Sequence, residues 1–294
     1  MKSLKELCDK ISMPAEATDG ILRYERLSDD GSLRASMEKL FRTATWKAGL
    51  AELKQHIGED TGGFGILACE LSCALKTFEM YEKHGISEEI YVDTMKCFSR
   101  FVKEHKESYG SYGFDREWWT PRQISGLLFR IGELEYEVAE IPDTDNTRSA
   151  GGKEAGESTE NERCIWLHIP SDARLTAEGI EGSVHMARQF FAEKFTAYAG
   201  AEIRCESWLL SPTLKEVLPP SSKILGFQDY FVTKSLGIDE GEFMTWVFKR
   251  PDIPLKDLPE STSLQRNLKS YLLSGGKVTA AEGTLKDRDF GGRR

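Results

Sequence analysis

The sequence predicts an α/β protein, in which a mainly helical N-terminal domain (residues 1–122) precedes a mixed β-sheet flanked by helices (residues 123–294). Two observations predict this class. Apolar residues recur at helical spacing through most of the first 110 residues. Beyond Gln123, apolar segments of strand length alternate with helical patterns, which is typical of a sheet covered by helices.

The strongest helical signals of the N-terminal part lie between residues 65 and 106. One helix is predicted from about Gly65 to Lys83, with Gly85 just beyond its end. A second begins behind Ser87, whose side chain can cap it, and continues to about Lys106. Shorter helices are predicted at 3–12, 33–42 and 45–56.

The C-terminal part begins with a predicted hairpin and continues as strand, helix and strand. Thr176 can cap a long helix whose apolar residues are spaced by three and four. A further strand pair is expected at 227–233 and 243–248, and a last helix at 263–274. The other predicted elements are strands at 127–131, 134–138, 163–169 and 202–210, and helices at 177–195 and 213–218.

Residues 142–162 contain no large apolar residue, so they cannot contribute to a core. We expect an exposed, mobile loop inside the second domain. It can be a plain solvated connection or a lid or interaction segment.

The composition excludes several classes of function. The formal net charge of −9 argues against nucleic acid and anionic membranes as partners. No segment has the length and hydrophobicity of a membrane span, and the N-terminus lacks the features of a signal peptide, so we expect a cytoplasmic protein. Six cysteines match no zinc pattern, and no metal site is predicted.

Three segments carry a resemblance to a known family: WWTPRQISGLLFRIGELEYE (118–137), WLHIP followed by LTAEGIEGSVHMARQFF (166–170 and 175–191), and SWLLSPTLKEVLPPSSKILGFQDYF (207–231). They resemble bacterial acyltransferases with a helical N-acyltransferase N-terminal domain and a C-terminal domain similar to the GCN5-related N-acetyltransferases (GNAT). The resemblance spans nearly the whole chain.

This resemblance implies an acyl-CoA-dependent N-acyltransferase, with acetyl-CoA or another acyl-CoA as co-substrate and a small-molecule amine or a peptide as acceptor. The amine would attack the thioester directly in a ternary complex. The alternative is a non-catalytic, GNAT-shaped ligand-binding or regulatory module. An open cleft between strands 163–169 and 203–209 would favour the enzyme, and closure by Trp166 and Trp208 would favour the module. The acceptor, the acyl chain and the oligomeric state are not predicted.

The resemblance also implies where CoA would bind. The pyrophosphate would lie at the start of helix 177–195, where unpaired backbone amides attract anions. The family's Gln/Arg-x-x-Gly-x-Gly/Ala pattern fits Arg174 to Gly179 only if Ala177 replaces its first glycine. Gly179 and Gly182 would then allow close backbone approach, and the alternative is an ordinary capped helix start. Trp208 could pack against the pantetheine arm or fill the core, and Lys223 could meet a CoA phosphate.

The resemblance further implies a catalytic base on the strand before the long helix, where strand alternation shows which side chains share a face. Cys164, Trp166 and His168 share one face of their predicted strand, and His168 lies at its C-terminal end. His168 could take the proton of the attacking amine, or simply hold a loop. Ser207 or Tyr230 could protonate the leaving thiolate, although a tyrosine hydroxyl is more often bonded structurally.

A group of aromatic and charged residues at the predicted domain junction supplies the acceptor-binding candidates, which are Trp118, Arg122, Arg130 and Glu135. The two arginines could bind a carboxylate or phosphate of the acceptor. They could equally pair with Glu133, Glu135 or Glu137 and tie the domains together.

Overall fold

A computed structural model describes residues 1, 3–29, 31–141, 148–149, 163–238, 241–250 and 252–287. The chain divides into two compact units. The first comprises 1–131, 135–163 and 190–199, and the second 132–134, 164–189 and 200–294. Across the described ranges, no helix combines the length and apolarity that crossing a membrane requires.

The first unit consists mainly of helices, and α5 and α6 are the longest. Nearly every side of α5 is buried, whereas α6 buries one face. The Ser87 hydroxyl caps α6 by accepting a hydrogen bond from the amide of Ile90 at 3.3 Å, and Gly110 ends it with φ 77°. The helices are α1 (Leu4–Lys10), α2 (Ala15–Leu22), α3 (Gly31–Lys39), α4 (Trp46–Ile57), α5 (Phe64–Lys83), α6 (Glu88–Tyr109) and α7 (Pro121–Ile124), with a 3₁₀ helix at Glu25–Asp29.

A cluster of aromatic rings forms part of the core of this unit. Phe129 lies at its centre, with ring centroids 5.1 Å from Phe190 and 5.7 Å from Tyr81. Most of these pairs meet edge-on or tilted, which is the favoured geometry of aromatic rings. Because Tyr81 and Phe129 are far apart in sequence, the cluster fixes α5 against the first strand.

Eight strands are present in the described residues, and six of them form one mixed sheet in the order β1-β2-β5-β6-β8-β7. Strands β5 and β6 are parallel, whereas β8 is antiparallel to both β6 and β7. The strands are β1 (Leu128–Ile131), β2 (Leu134–Val138), β3 (Glu140–Ile141), β4 (Arg148–Ser149), β5 (Cys164–His168), β6 (Glu202–Ser207), β7 (Phe231–Ile238) and β8 (Thr279–Leu285).

The remaining helices follow β5 and complete the structure. The longest is α8 (Ala177–Lys194), and its predicted apolar stripe of Ile180, Val184, Ala187 and Phe191 is buried. The others are α9 (Leu214–Val217), α10 (Lys223–Gln228), α11 (Glu242–Val247) and α12 (Ser263–Leu273), with 3₁₀ helices at Thr196–Tyr198, Trp208–Leu210 and Leu255–Asp257. In the second unit, α9, α11 and α12 share a core with Trp208.

The prediction of a strand at 243–248 was wrong, because Glu242–Val247 is helical. Phe243 and Val247 are four residues apart, and this spacing buries both on one side of a helix. The partner of β7 is instead β8, a segment rich in alanine and threonine that gave no apolar strand signal. The predicted loop 142–162 lies outside the described residues, except for Arg148–Ser149, which pair with Glu140–Ile141.

Candidate active site

The parallel strands β5 and β6 pair along only part of their length. Their register runs from Cys164 opposite Glu202 to Trp166 opposite Arg204. Beyond that point β5 continues to His168 and β6 to Ser207, while β6 stays paired with β8 through Ser207. The carboxyl ends of two parallel strands therefore diverge within the second unit, which leaves a gap in the ladder beside β5.

His168 and Ser207 each end one of these diverging strands. Side chains along β5 alternate as predicted, since Ile165 and Leu167 are buried while Cys164, Trp166 and His168 are half-buried on the other face. The Ser207 hydroxyl accepts a hydrogen bond from the amide of Leu209 at 3.1 Å, which starts the 3₁₀ turn after β6. Because parallel strands end at the same edge of a sheet, both side chains belong to the edge where the gap opens.

Tyr230 is buried just before β7, and its backbone carbonyl accepts a hydrogen bond from the amide of Lys286 at 2.8 Å. Its hydroxyl donates to the Glu181 carboxylate at 2.9 Å. This hydroxyl therefore has a side-chain partner rather than the backbone partner that is common for buried tyrosines. Sequence reasoning missed Glu181, because an exposed acidic residue on α8 gives no signal of such a contact.

The loop before α8 is held by an ion pair. Arg174 donates from Nε to Glu133 Oε1 at 2.8 Å and from its backbone amide to Glu133 Oε2 at 3.0 Å. The Arg174 side chain is 78% exposed and that of Glu133 is 13% exposed. Leu175 follows with φ 50°, a conformation that residues other than glycine adopt uncommonly. The sequence placed Arg174 at the CoA phosphates, whereas here it binds a carboxylate of its own chain.

The start of α8 carries the other predicted phosphate ligands. Ala177 is its first residue, and the Thr176 hydroxyl accepts a hydrogen bond from the amide of Gly179 at 3.2 Å. A Cβ atom on Gly179 would lie 2.7–2.9 Å from the carboxyl atoms of Glu133, so a side chain there would displace Glu133. A Cβ on Gly182 would meet no atom within 4 Å. Gly179 thus accommodates Glu133, and Gly182 lies in open space.

Electrostatics at this loop favour the ionised carboxylate. Partial burial alone would raise the pKa of Glu133. The hydrogen bonds from the Arg174 side chain and from the amides of Arg174 and Leu175 outweigh that effect, so the pKa of Glu133 lies below its ordinary value of 4.5. A full negative charge therefore sits at the start of α8 at neutral pH.

Two further CoA candidates occupy different surroundings. Trp208 is buried with Leu209, Leu214 and Leu218 in the core of the second unit. Lys223 is exposed at the first position of α10, which Ser222 caps by accepting a hydrogen bond from the amide of Ile224 at 3.3 Å.

The four predicted acceptor-binding residues all lie in the first unit, where each of the charged ones pairs with a side chain of opposite charge. Arg122 Nε is 3.4 Å from Glu137, and Glu135 is 2.8 Å from Arg100 and 3.9 Å from Arg130. The Arg122 guanidinium lies 4.3 Å from the ring centroid of Trp119. Trp118 is 36% exposed and meets Trp119 edge-on. The arginines thus pair with Glu135 and Glu137, two of the three glutamates predicted as their partners, within the first unit.

Metal-ligating side chains are not clustered in the part of the chain that the structure describes, where no three His, Cys, Asp or Glu residues come together in a manner that would hold an ion. The features of the second unit on which a reaction could depend are the diverging strands β5 and β6, the loop before α8, and Tyr230. Comparison with known proteins gives this arrangement a family.

Residues 128–285, more than half of the chain, match the GNAT-like C-terminal domain. The chain belongs to the GNAT-like family. Residues 2–126 match the N-acyltransferase N-terminal domain, so the expected resemblance is confirmed for both parts. The GNAT-like domain contains all the diverging strands and the α8 loop.

Solved structures support the fold of this GNAT-like chain. It is similar to an acyltransferase in complex with decanoyl-CoA and teicoplanin, with 20% identity, a TM-score of 0.75, and coverage of 97% of this chain and 88% of that chain. An acyltransferase in complex with CoA and 10C-teicoplanin gives 21% identity, a TM-score of 0.74 and the same coverage. Comparison with curated proteins finds no match.

Proposed function

We propose that this protein transfers an acyl group from acyl-CoA to an amine. The observation that carries the proposal is the divergence of β5 and β6 beyond Trp166 and Arg204, because it takes backbone groups of these two strands out of their mutual pairing in a GNAT-like sheet. Such backbone groups can pair with the amides of a pantetheine arm. Support also comes from similar folds that were solved with decanoyl-CoA and with CoA.

The chemistry needs one base and one acid. The amine nitrogen attacks the thioester carbonyl carbon, so a C–N bond forms and the C–S bond breaks. The nitrogen loses a proton and the departing thiolate gains one, so the products are an amide and free CoA. We propose neutral His168, at the end of β5, as the base.

Two hydroxyl groups are candidates for the acid. Ser207 ends β6 at the same sheet edge as His168, and its oxygen accepts the amide of Leu209 while its own proton stays available. The Tyr230 hydroxyl donates a hydrogen bond to Glu181. It would have to release this partner before it could protonate the thiolate. This difference favours Ser207 as the proton donor.

One observation favours the alternative, a non-catalytic binding module of the same shape. Arg174, which matches the arginine of the family's phosphate-binding pattern, is engaged by Glu133. A protein that binds CoA without turnover, or does not bind it, would keep the fold with such a substituted loop. Turnover separates the two functions directly.

The test is a thiol-release assay with a panel of acyl-CoAs, from acetyl- to decanoyl-CoA, against simple amines, amino sugars, peptides and a teicoplanin-type glycopeptide. We expect acceptor-dependent release of CoA. His168→Ala should lower turnover by about 10²–10⁴-fold. His56→Ala is the matched control, since His56 lies on α4 and contacts Ser32 in the first unit. Undiminished turnover in His168→Ala would remove His168 from the mechanism, and no release with any pair would favour the binding module.

A further inference from the structure

The loop that would face the CoA phosphates already binds an anion. Glu133, in the turn between β1 and β2, receives the backbone amide of Arg174 and two nitrogens of its guanidinium, at 2.7 Å and 2.8 Å. The amide of Leu175 also stabilises this carboxylate. Backbone amides and an arginine fork are the groups that recognise a phosphate. The loop therefore has the right donors, and a side chain of the same protein uses them.

We propose that Glu133 sets the affinity for CoA by competing with the CoA pyrophosphate for the amides of Arg174 and Leu175 and for the Arg174 guanidinium. This rests on the proposed function, and it adds a residue that determines ligand affinity. CoA binding then requires Glu133 to leave the loop and Arg174 to turn toward the phosphates.

Two features of the site support an exchange of partners. The Arg174 side chain is 78% exposed, so its guanidinium can rotate to a ligand without breaking core packing. Gly179 leaves room for the Glu133 carboxyl group, because a Cβ there would lie 2.7 Å from the Glu133 carboxyl carbon. The glycine that the family pattern assigns to phosphate approach is used here for the carboxylate.

The competition predicts whether a substitution of Glu133 raises or lowers the affinity for CoA. Glu133→Gln removes the negative charge and frees the arginine, while the amide oxygen can still accept one hydrogen bond. The arginine side of this ion pair is exposed to solvent, so the pair contributes modestly, and we expect CoA to bind about 2- to 5-fold more tightly to Glu133→Gln than to the unsubstituted protein. A merely structural ion pair predicts the opposite, since losing it would loosen the loop and weaken binding.

Calorimetric titration of the full chain with CoA, and separately with inorganic pyrophosphate, measures the change in affinity. Glu260→Gln is the matched control, because it also removes one carboxylate that pairs with a cation, here Lys269 at 2.6 Å. Both variants have the same net charge, so a general electrostatic effect would appear in both. Circular dichroism checks that each variant is folded. Glu133→Asp keeps the charge but draws it away from the amides, so it should give an intermediate gain in CoA affinity.

A second substitution tests the role of Arg174. In the protein that keeps Glu133, Arg174→Gln should change CoA affinity little, because the contact that Arg174 gains with the phosphates is offset by the contact with Glu133 that it gives up. Combined with Glu133→Gln, it should abolish the gain. Equal or weaker CoA binding by Glu133→Gln, with binding by the unsubstituted protein intact, would overturn this proposal alone. Failure of both proteins to bind CoA at millimolar concentration would overturn the proposed function as well.

Discussion

Glu70 is an acidic residue in the interior of the helical unit. It lies on α5 with no exposed surface, and Oε2 accepts a hydrogen bond from the Thr120 hydroxyl at 2.6 Å. Its Oε1 atom has no hydrogen-bond partner among the described residues. Burial raises the pKa of Glu70 well above its ordinary value of 4.5, and the Thr120 hydrogen bond opposes this only in part.

This raised pKa makes the stability of the unit depend on pH. Between pH 4.5 and the folded-state pKa, the folded protein keeps the Glu70 proton and the unfolded chain loses it. The free energy of unfolding therefore falls as pH rises, by about 1.4 kcal/mol per pH unit across that window. Glu70→Gln should remove this fall and be more stable than the unsubstituted protein at pH 8 but not at pH 4.5.

Urea unfolding at pH 4.5, 6 and 8 measures the difference in the free energy of unfolding between Glu70→Gln and the unsubstituted protein. The control is Glu38→Gln, because Glu38 is an exposed carboxylate paired with Lys76 at 2.7 Å. Parallel pH profiles for the unsubstituted protein and Glu70→Gln would contradict the assignment of a buried, protonated carboxyl group.

The sequence predicted single residues well where the reason was local. The alternation on β5 that turns His168 away from Ile165 follows from strand geometry alone. Arg174 was predicted to bind the CoA phosphates, whereas in the structure its guanidinium pairs with Glu133, which lies 41 positions earlier in the chain. A sequence read along its length holds no information on which distant carboxylate reaches a loop.

At the scale of elements, helices α3 and α4 pack with a close approach at Gly49. A Cβ atom there would lie 2.7 Å from the Ser36 carbonyl oxygen and 2.8 Å from the Lys39 Cβ atom. Gly226, on α10, has nothing within 4 Å of the corresponding position. The same substitution should therefore have opposite effects on the two helices.

Gly49→Ala should lower the free energy of unfolding by about 1–3 kcal/mol, because the backbone of α3 must move away. Gly226→Ala should raise it by about 0.5–1 kcal/mol, because alanine restricts the unfolded chain and fits the helix. Thermal unfolding followed by circular dichroism compares the two variants. A Gly49→Ala protein as stable as the unsubstituted one would show that α3 and α4 do not meet at this point.

Elements with strong periodicity were predicted correctly, and the two failures have different causes. Helices α5, α6 and α8 have long apolar stripes, and the structure has each of them. The apolar run at 243–248 was too short to distinguish the periods of strand and helix. Strand β8 buries small residues such as Ala281 beside Gly283, so its sequence lacks the apolar signal of a strand.

At the scale of the whole molecule, all six cysteines are free thiols, and only Cys164 is not fully buried. Burial raises the pKa of the Cys8 thiol to about 11 and that of Cys69 to about 12. The thiolate is the reactive form, so a raised pKa suppresses reaction at pH 8. In a titration with a chromogenic thiol reagent, at most Cys164 should therefore react quickly in the folded protein. All six cysteines should react in urea. Rapid reaction of several thiols without urea would contradict the packing described for both units.

The order β6-β8-β7 has a consequence for how the chain is made. Strand β8 lies between the two others although it comes last of the three along the chain, after a long connection from Ile238 to Thr279. During synthesis β7 therefore leaves the ribosome before its neighbour exists, with Val232 and Ile238 exposed even in the finished sheet. Strand β6 can already pair with β5, whereas β7 has no neighbour in the sheet until β8 is made, so β7 is a segment that molecular chaperones would need to shield.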